Sequence, residues 1–139
     1  MRSASSANRR RRELRRFAEL AERTDYAMRN ARVLIRRTYT ALCDDEPAAP
    51  ALADVLDELA NAVRTLTVQL GRDGHRELAR EPVIDVVRHV RALAGTFAPG
   101  PSEVVIVAQA RSIALDLLQA TGMSRQEALR AMRSDPDDD

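Results

Sequence analysis

The sequence predicts an all-α fold, an antiparallel four-helix bundle with a long first helix and a short fifth helix at the C-terminal end. Three observations point there. Apolar residues recur at helical spacing through most of the 139 positions, and no stretch alternates with the period of two that a strand would show. Proline and glycine gather in a few short clusters between the periodic runs. Aromatic residues make up only 3% of the chain, so Leu, Val, Ile, Ala and Met must fill the core, which suits close helix packing. The length is that of one domain, able to bury roughly two thirds of its unfolded surface.

The first helix is expected from about Asn8 to Cys43. Leu14, Phe17, Ala21, Thr24, Met28, Ala31, Ile35, Thr38 and Leu42 alternate at spacings of three and four, widened by Leu20, Ala27, Leu34 and Ala41. The run Asp44-Asp45-Glu46-Pro47-Ala48-Ala49-Pro50 ends it, because proline cannot donate within a helix. The second helix follows from about Ala51 to Leu70 with Leu52, Val55, Leu56, Leu59, Val63, Leu66 and Leu70 inward, and Gly71 is placed to cap it. After the turn Gly71–Gly74, a third spans about His75 to Ala94 with Leu78, Val83, Val86, Val87, Val90 and Leu93 inward. Pro82 favours a break that starts the helix proper near Glu81.

Gly95–Pro101 reads as a loop and Ser102 as the N-cap of a fourth helix ending at Gly122. Val104, Val105, Ile106, Val107, Ala110, Ile113, Ala114, Leu117 and Leu118 cover most of its circumference, which predicts the most buried element. Ser124-Arg125-Gln126-Glu127 is a capping box that opens a short last helix to about Arg133.

All 22 basic residues are arginine, which fits a GC-rich coding bias better than a function. Their placement is uneven. Arg2, Arg9, Arg10, Arg11, Arg12, Arg15 and Arg16 stand against Glu13 alone, a local charge of +6, and four aspartates close the chain. Such blocks are solvated tails or arms that meet a charged partner, so residues 1–12 are expected to form a basic arm and 134–139 a disordered acidic tail. Arg9, Arg10, Arg11, Arg12, Arg15 and Arg16 are the candidates for contact with an anionic membrane surface, or less favourably with nucleic acid. Cys43 is the single cysteine, which excludes an internal disulfide and points to a reducing compartment. No apolar run follows the arginines as in a secretory signal, and none approaches the ~20 residues of a membrane span.

Candidate chemistry is sparse. His75 and His89 have no Cys or carboxylate at a ligand spacing, so no metal or other cofactor is expected. Asp54/Glu58 and Asp57/Asn61 fall on the solvent side of their helix, and no nucleophile or phosphate-loop motif appears. The chain therefore reads as a non-enzyme, with no catalytic residue. Arg111 stands in the most apolar helix, where a lone buried guanidinium costs several kcal/mol. It either snorkels at the bundle edge or is at least half buried in an ion pair with a carboxylate of another helix, and the ion pair is the expectation put to test. Leu117–Leu129 has the grammar of a helix-turn-helix, with Arg125, Gln126 and Arg130 available to bases. A first helix of about 52 Å against neighbours of about 30 Å leaves roughly four turns unpartnered. Leu14, Phe17, Leu20 and Ala21 on those turns are the expected oligomer interface, and the chain is expected to self-associate.

Two stretches carry a family resemblance, Asp25-Tyr26-Ala27-Met28-Arg29-Asn30-Ala31-Arg32-Val33-Leu34-Ile35-Arg36-Arg37 and Val107-Ala108-Gln109-Ala110-Arg111-Ser112-Ile113-Ala114-Leu115-Asp116-Leu117-Leu118-Gln119-Ala120-Thr121-Gly122. Together they resemble the cytoplasmic C-terminal region of the actinobacterial aromatic acid exporter-like membrane proteins, the fusaric acid resistance (FUSC) group, over most of residues 15–130. The resemblance implies a cytoplasmic domain tethered to the inner membrane, with the membrane-spanning part of the same polypeptide as partner. It carries over no catalytic or ligand residues. The function expected is assembly or regulation of an exporter. The alternative is a stand-alone DNA-binding or transcription-regulatory protein that uses residues 117–133 and the basic arm.

Overall fold

The structure, a computed structural model, describes residues 2–47, 49–70, 76–94 and 100–134. The expected turn at Gly71–Gly74, His75, most of the loop after Ala94 and the acidic residues from Asp135 onward lie outside them. The described chain is all-helical, with helices α1 (Arg2–Cys43), α2 (Pro50–Leu70), α3 (Arg80–Ala94), α4 (Pro101–Ala120) and α5 (Arg125–Ala131), and a 3₁₀ turn at Arg76–Ala79 leading into α3.

α1 starts at Arg2, some six residues before its expected boundary, so the segment read as an arm continues the helix. Ala, Ser, Arg and Glu all tolerate helix, and nothing before Asp44 breaks one. The far end closes with Asp45 in the left-handed region (φ 52°). There the Glu46 N–H donates to the Ala41 carbonyl at 2.9 Å, a Schellman-type stop.

α4 is the hub, with contacts to α1, α2, α3 and α5. Its Ala110, Ala114 and Leu118 are wholly enclosed, together with Val83, Val86, Val87 and Val90 of α3. α2 pairs chiefly with α3, through Leu52, Val55, Leu59, Ala62 and Leu66. Pro82 sits in the first turn of α3, where its missing N–H costs nothing, so the break falls where the proline predicts it.

Four expectations need correcting, and the first is Val63, which is 38% exposed on α2 rather than inward. Leu78, on the 3₁₀ turn, is 63% exposed, because the tighter winding before Arg80 rotates it off the buried face of α3. Val104 is 51% exposed and shares with Ala108 and Arg111 the one row of α4 that no helix covers. The N-cap of α4 is Gly100 rather than Ser102. Glu103 does the capping work instead. Its Oε2 accepts from the Gly100 N–H at 2.9 Å, and its Oε1 accepts from the Ala49 N–H at 2.7 Å, which ties the start of α2 to the start of α4. At 6% exposure this carboxylate is buried, and both backbone donors compensate its desolvation. The capping box of α5 forms as the sequence predicts. Ser124 Oγ accepts from the Glu127 N–H (3.2 Å) and Glu127 Oε2 from the Ser124 N–H (2.7 Å).

Candidate interaction surface

α1 is the longest helix and the least covered. At about 1.5 Å per residue its 42 residues extend about 63 Å, against about 30 Å for the 20 residues of α4. Its main partner is α4. The two run in opposite directions, with Asn30 opposite Asp116 and the connection after α1 against the start of α4. Residues 6–19 are exposed throughout, as expected for turns with no partner helix.

The sequence stripe splits in two. α4 takes the row Leu20, Ala27, Leu34 and Ala41, of which Leu34 and Ala41 are buried. The row Leu14, Ala21, Met28, Ile35 and Leu42 stays open, with Leu14 at 69%, Met28 at 50%, Ile35 at 64% and Leu42 at 71% exposure. Phe17 (71%) and Tyr39 (69%) lie beside it. Of the four expected interface residues, Leu14, Phe17 and Ala21 are thus exposed, whereas Leu20 is half-covered. The open row also runs on through Met28, Ile35 and Leu42, well past the four turns to which the sequence reading confined it. A monomer rarely leaves so long an apolar stripe in water.

The basic residues lie at one end of this surface. Arg10, Arg11, Arg12, Arg15 and Arg16 are exposed, and Arg9 Nε meets Glu13 Oε1 at 3.2 Å in a solvated i,i+4 pair. At the other end of α1, Asp44 and Asp45 are exposed and Glu46 is half-buried, 3.9 Å from Arg37.

Arg111 corrects the sequence reading. It is exposed and has no carboxylate partner among the described residues, because its row of α4 faces away from every other helix. The buried charge of the α1–α4 seam is Asp116, 8% exposed. The Asn30 amide donates to its Oδ2 at 3.0 Å, and Arg23 stands 4.0 Å from Oδ1. Burial pushes the Asp116 carboxyl above its usual range, while the Asn30 bond and the Arg23 and Arg125 charges pull the other way. Asn30 and Asp116 both fall inside the stretches quoted for the resemblance, but only the packing of α1 on α4 brings them together.

Among the clefts that flank this body are two with charged linings. One of about 530 Å³ lies between the first half of α1 and the α3–α4 corner, lined by Arg16, Glu19, Arg76, Arg80 and Thr121 among others. Arg80 is already engaged there. It donates from Nε to Thr121 Oγ1 at 2.9 Å, at the α4 C-terminus, where a cation is favoured. The other, of about 390 Å³, lies over α2 and α3, where His89 Nδ1 approaches Glu58 Oε2 at 2.6 Å. The Glu58 bond, then its charge, holds the His89 pKa above its ordinary value. Asp54, Asp57 and Asn61 are exposed, as their place on α2 predicts. Among the described residues no group of three or more His, Cys, Asp or Glu could hold a metal ion. None of their helices is long and apolar enough to cross a membrane. In the segment read as a helix-turn-helix, Arg125, Gln126 and Arg130 are exposed on α5, a helix of only seven residues held down by Ala128.

No known protein family and no solved structure matches the chain. An uncharacterized protein of Corynebacterium glutamicum is 32% identical over 115 residues, which cover 78% of this chain and 29% of that protein. The chain therefore spans less than a third of the relative's length.

Proposed function

We propose that the chain is a non-enzymatic helical module that serves assembly or regulation of a larger protein, and that its working surface is the open face of α1. The observation that carries the reading is the exposed row from Leu14 to Leu42 on a helix that packs mainly on one neighbour. The pairwise contacts of α1 with α4, α2 with α3 and α3 with α4 support an antiparallel four-helix bundle in which α1 is the outlying member. The relative in which this region is a minor part supports a module of a longer polypeptide. From the resemblance in residues 25–37 and 107–122, that polypeptide is an aromatic acid exporter-like membrane protein. The module then lies in the cytoplasm beside the inner membrane, with Arg9 to Arg16 toward anionic headgroups. Fractionation of host cells carrying the tagged native gene tests this. The protein is expected in the inner-membrane fraction after a high-salt wash. Recovery in the soluble fraction overturns the exporter reading.

A further inference from the structure

α1 repeats itself at seven residues along and beside its open face. Leu14, Ala21, Met28, Ile35 and Leu42 form the open row, and Phe17, Thr24, Ala31 and Thr38 form the row three positions on, exposed at Phe17 and Thr24 and half-buried at Ala31 and Thr38, where Ala31 already touches the core. That is the seam of a two-helix coiled coil. The charge along the helix decides what fits it. The start is strongly basic (Arg9 to Arg12, Arg15, Arg16), and the stop is acidic (Asp44, Asp45, Glu46). A parallel copy would set arginine against arginine and aspartate against aspartate. A reversed copy sets each basic start over the other's acidic stop.

We infer that the partner of this face is a second copy of the chain, paired α1 to α1 in opposite directions about a twofold axis near Met28. The inference rests on the reading of α1 as the working surface and names what covers it. One register pairs the two rows between Phe17 and Leu42 and leaves Leu14 beside the acidic stop at Asp45. With Phe17 opposite Leu42 of the second copy, Thr24 falls opposite Ile35 and Met28 opposite Ala31. The flanking positions on the same side then agree as well, Ala18 beside Tyr39 and Asp25 beside Arg32, and the arginines from Arg9 to Arg12 lie toward the exposed Asp44 and Asp45 of the second copy. Twofold symmetry makes every pair occur twice. The register also supplies what the single chain lacks. The turns of residues 6–19, exposed in one copy, lie along the second half of α1 in the other, where Ile35, Tyr39 and Leu42 are open.

Cysteine pairing tests the register. In a Cys43→Ser background, Phe17→Cys with Leu42→Cys gives a covalent dimer on mild oxidation, because the two positions are apart by about 37 Å within one helix at ~1.5 Å per residue and adjacent across the pair. Neither single-cysteine variant links to itself. Self-linking of Phe17→Cys alone would show a parallel pair and overturn the inference. Sedimentation of the unmodified chain is expected to give a dimer, and a strict monomer overturns the pairing while leaving the membrane-fraction test to be read by itself. Arg32→Asp, an exposed change that places Asp25 against an aspartate, is expected to weaken the dimer about tenfold. Adding Asp25→Arg restores it. Equal loss in the doubly exchanged protein would overturn the register even if a dimer remains.

Discussion

α4 and α1 are both long amphipathic segments, yet one has nearly every face covered and the other one face only. α4 is half the length, and Ala110, Ala114 and Leu118 lie within it without solvent contact. α1 carries larger apolar side chains on its outer face than on its packed one. Ile35, Leu42 and Phe17 are out, while Ala27, Leu34 and Ala41 are in. The small residues let α1 approach α4 closely, and the large ones are left for a contact outside the single chain. Apolar content alone therefore does not rank these helices by burial. What ranks them is which row meets a neighbour.

The largest effects should separate the two helices. Leu118→Ala empties a fully enclosed site and is expected to cost about 2–5 kcal/mol in urea denaturation. Ile35→Ala, measured where the chain is dilute, should stay within about 0.5 kcal/mol. Equal costs would mean that the outer face of α1 is covered within one chain. Glu103 sharpens the comparison for polar groups. Glu103→Ala leaves the Ala49 and Gly100 N–H groups without their carboxylate and is expected to cost about 2–3 kcal/mol, whereas Glu103→Gln, which keeps an acceptor, costs less.

The smallest effect concerns the exposed pair Glu58–His89. Because the folded His89 pKa is raised above its unfolded value of 6.5, the pair's contribution is fully present below pH 6.5 and is lost as pH rises through the folded value. Melting curves across that range should show a stabilisation on acidification of less than about 1 kcal/mol, since the side chains are 59% and 39% exposed. Glu58→Gln should flatten it, and an unchanged slope would place the titration elsewhere.

The helices themselves were legible in the chain. Pro82 marked the start of α3, Ser124 and Glu127 opened α5 as a capping box, and Gly122 with φ 99° took the position past α4 that favours glycine. These are local rules, each satisfied within a few residues. The candidate site was legible in part. Leu14 and Phe17 were read as uncovered because helix lengths can be counted, but the extension to Ile35 and Leu42 was not. Both rows of α1 look equally apolar in a helical wheel, so periodicity found the stripe without dividing it.

Arg111 and Asp116 show the same boundary at single residues. Both lie in the most apolar helix, and the sequence offers no way to say which is inside. The chain by itself determined the all-helical class, the main breaks and caps, and the opposed charges at the two ends of α1. Only the tertiary structure decided that Asp116 is the buried charge and Arg111 the exposed one, that Glu103 rather than Ser102 caps α4, and which row of α1 is left open. The physical reason is that a helix's own periodicity fixes the angle between its side chains, whereas burial depends on where the neighbouring helix lies around that circle.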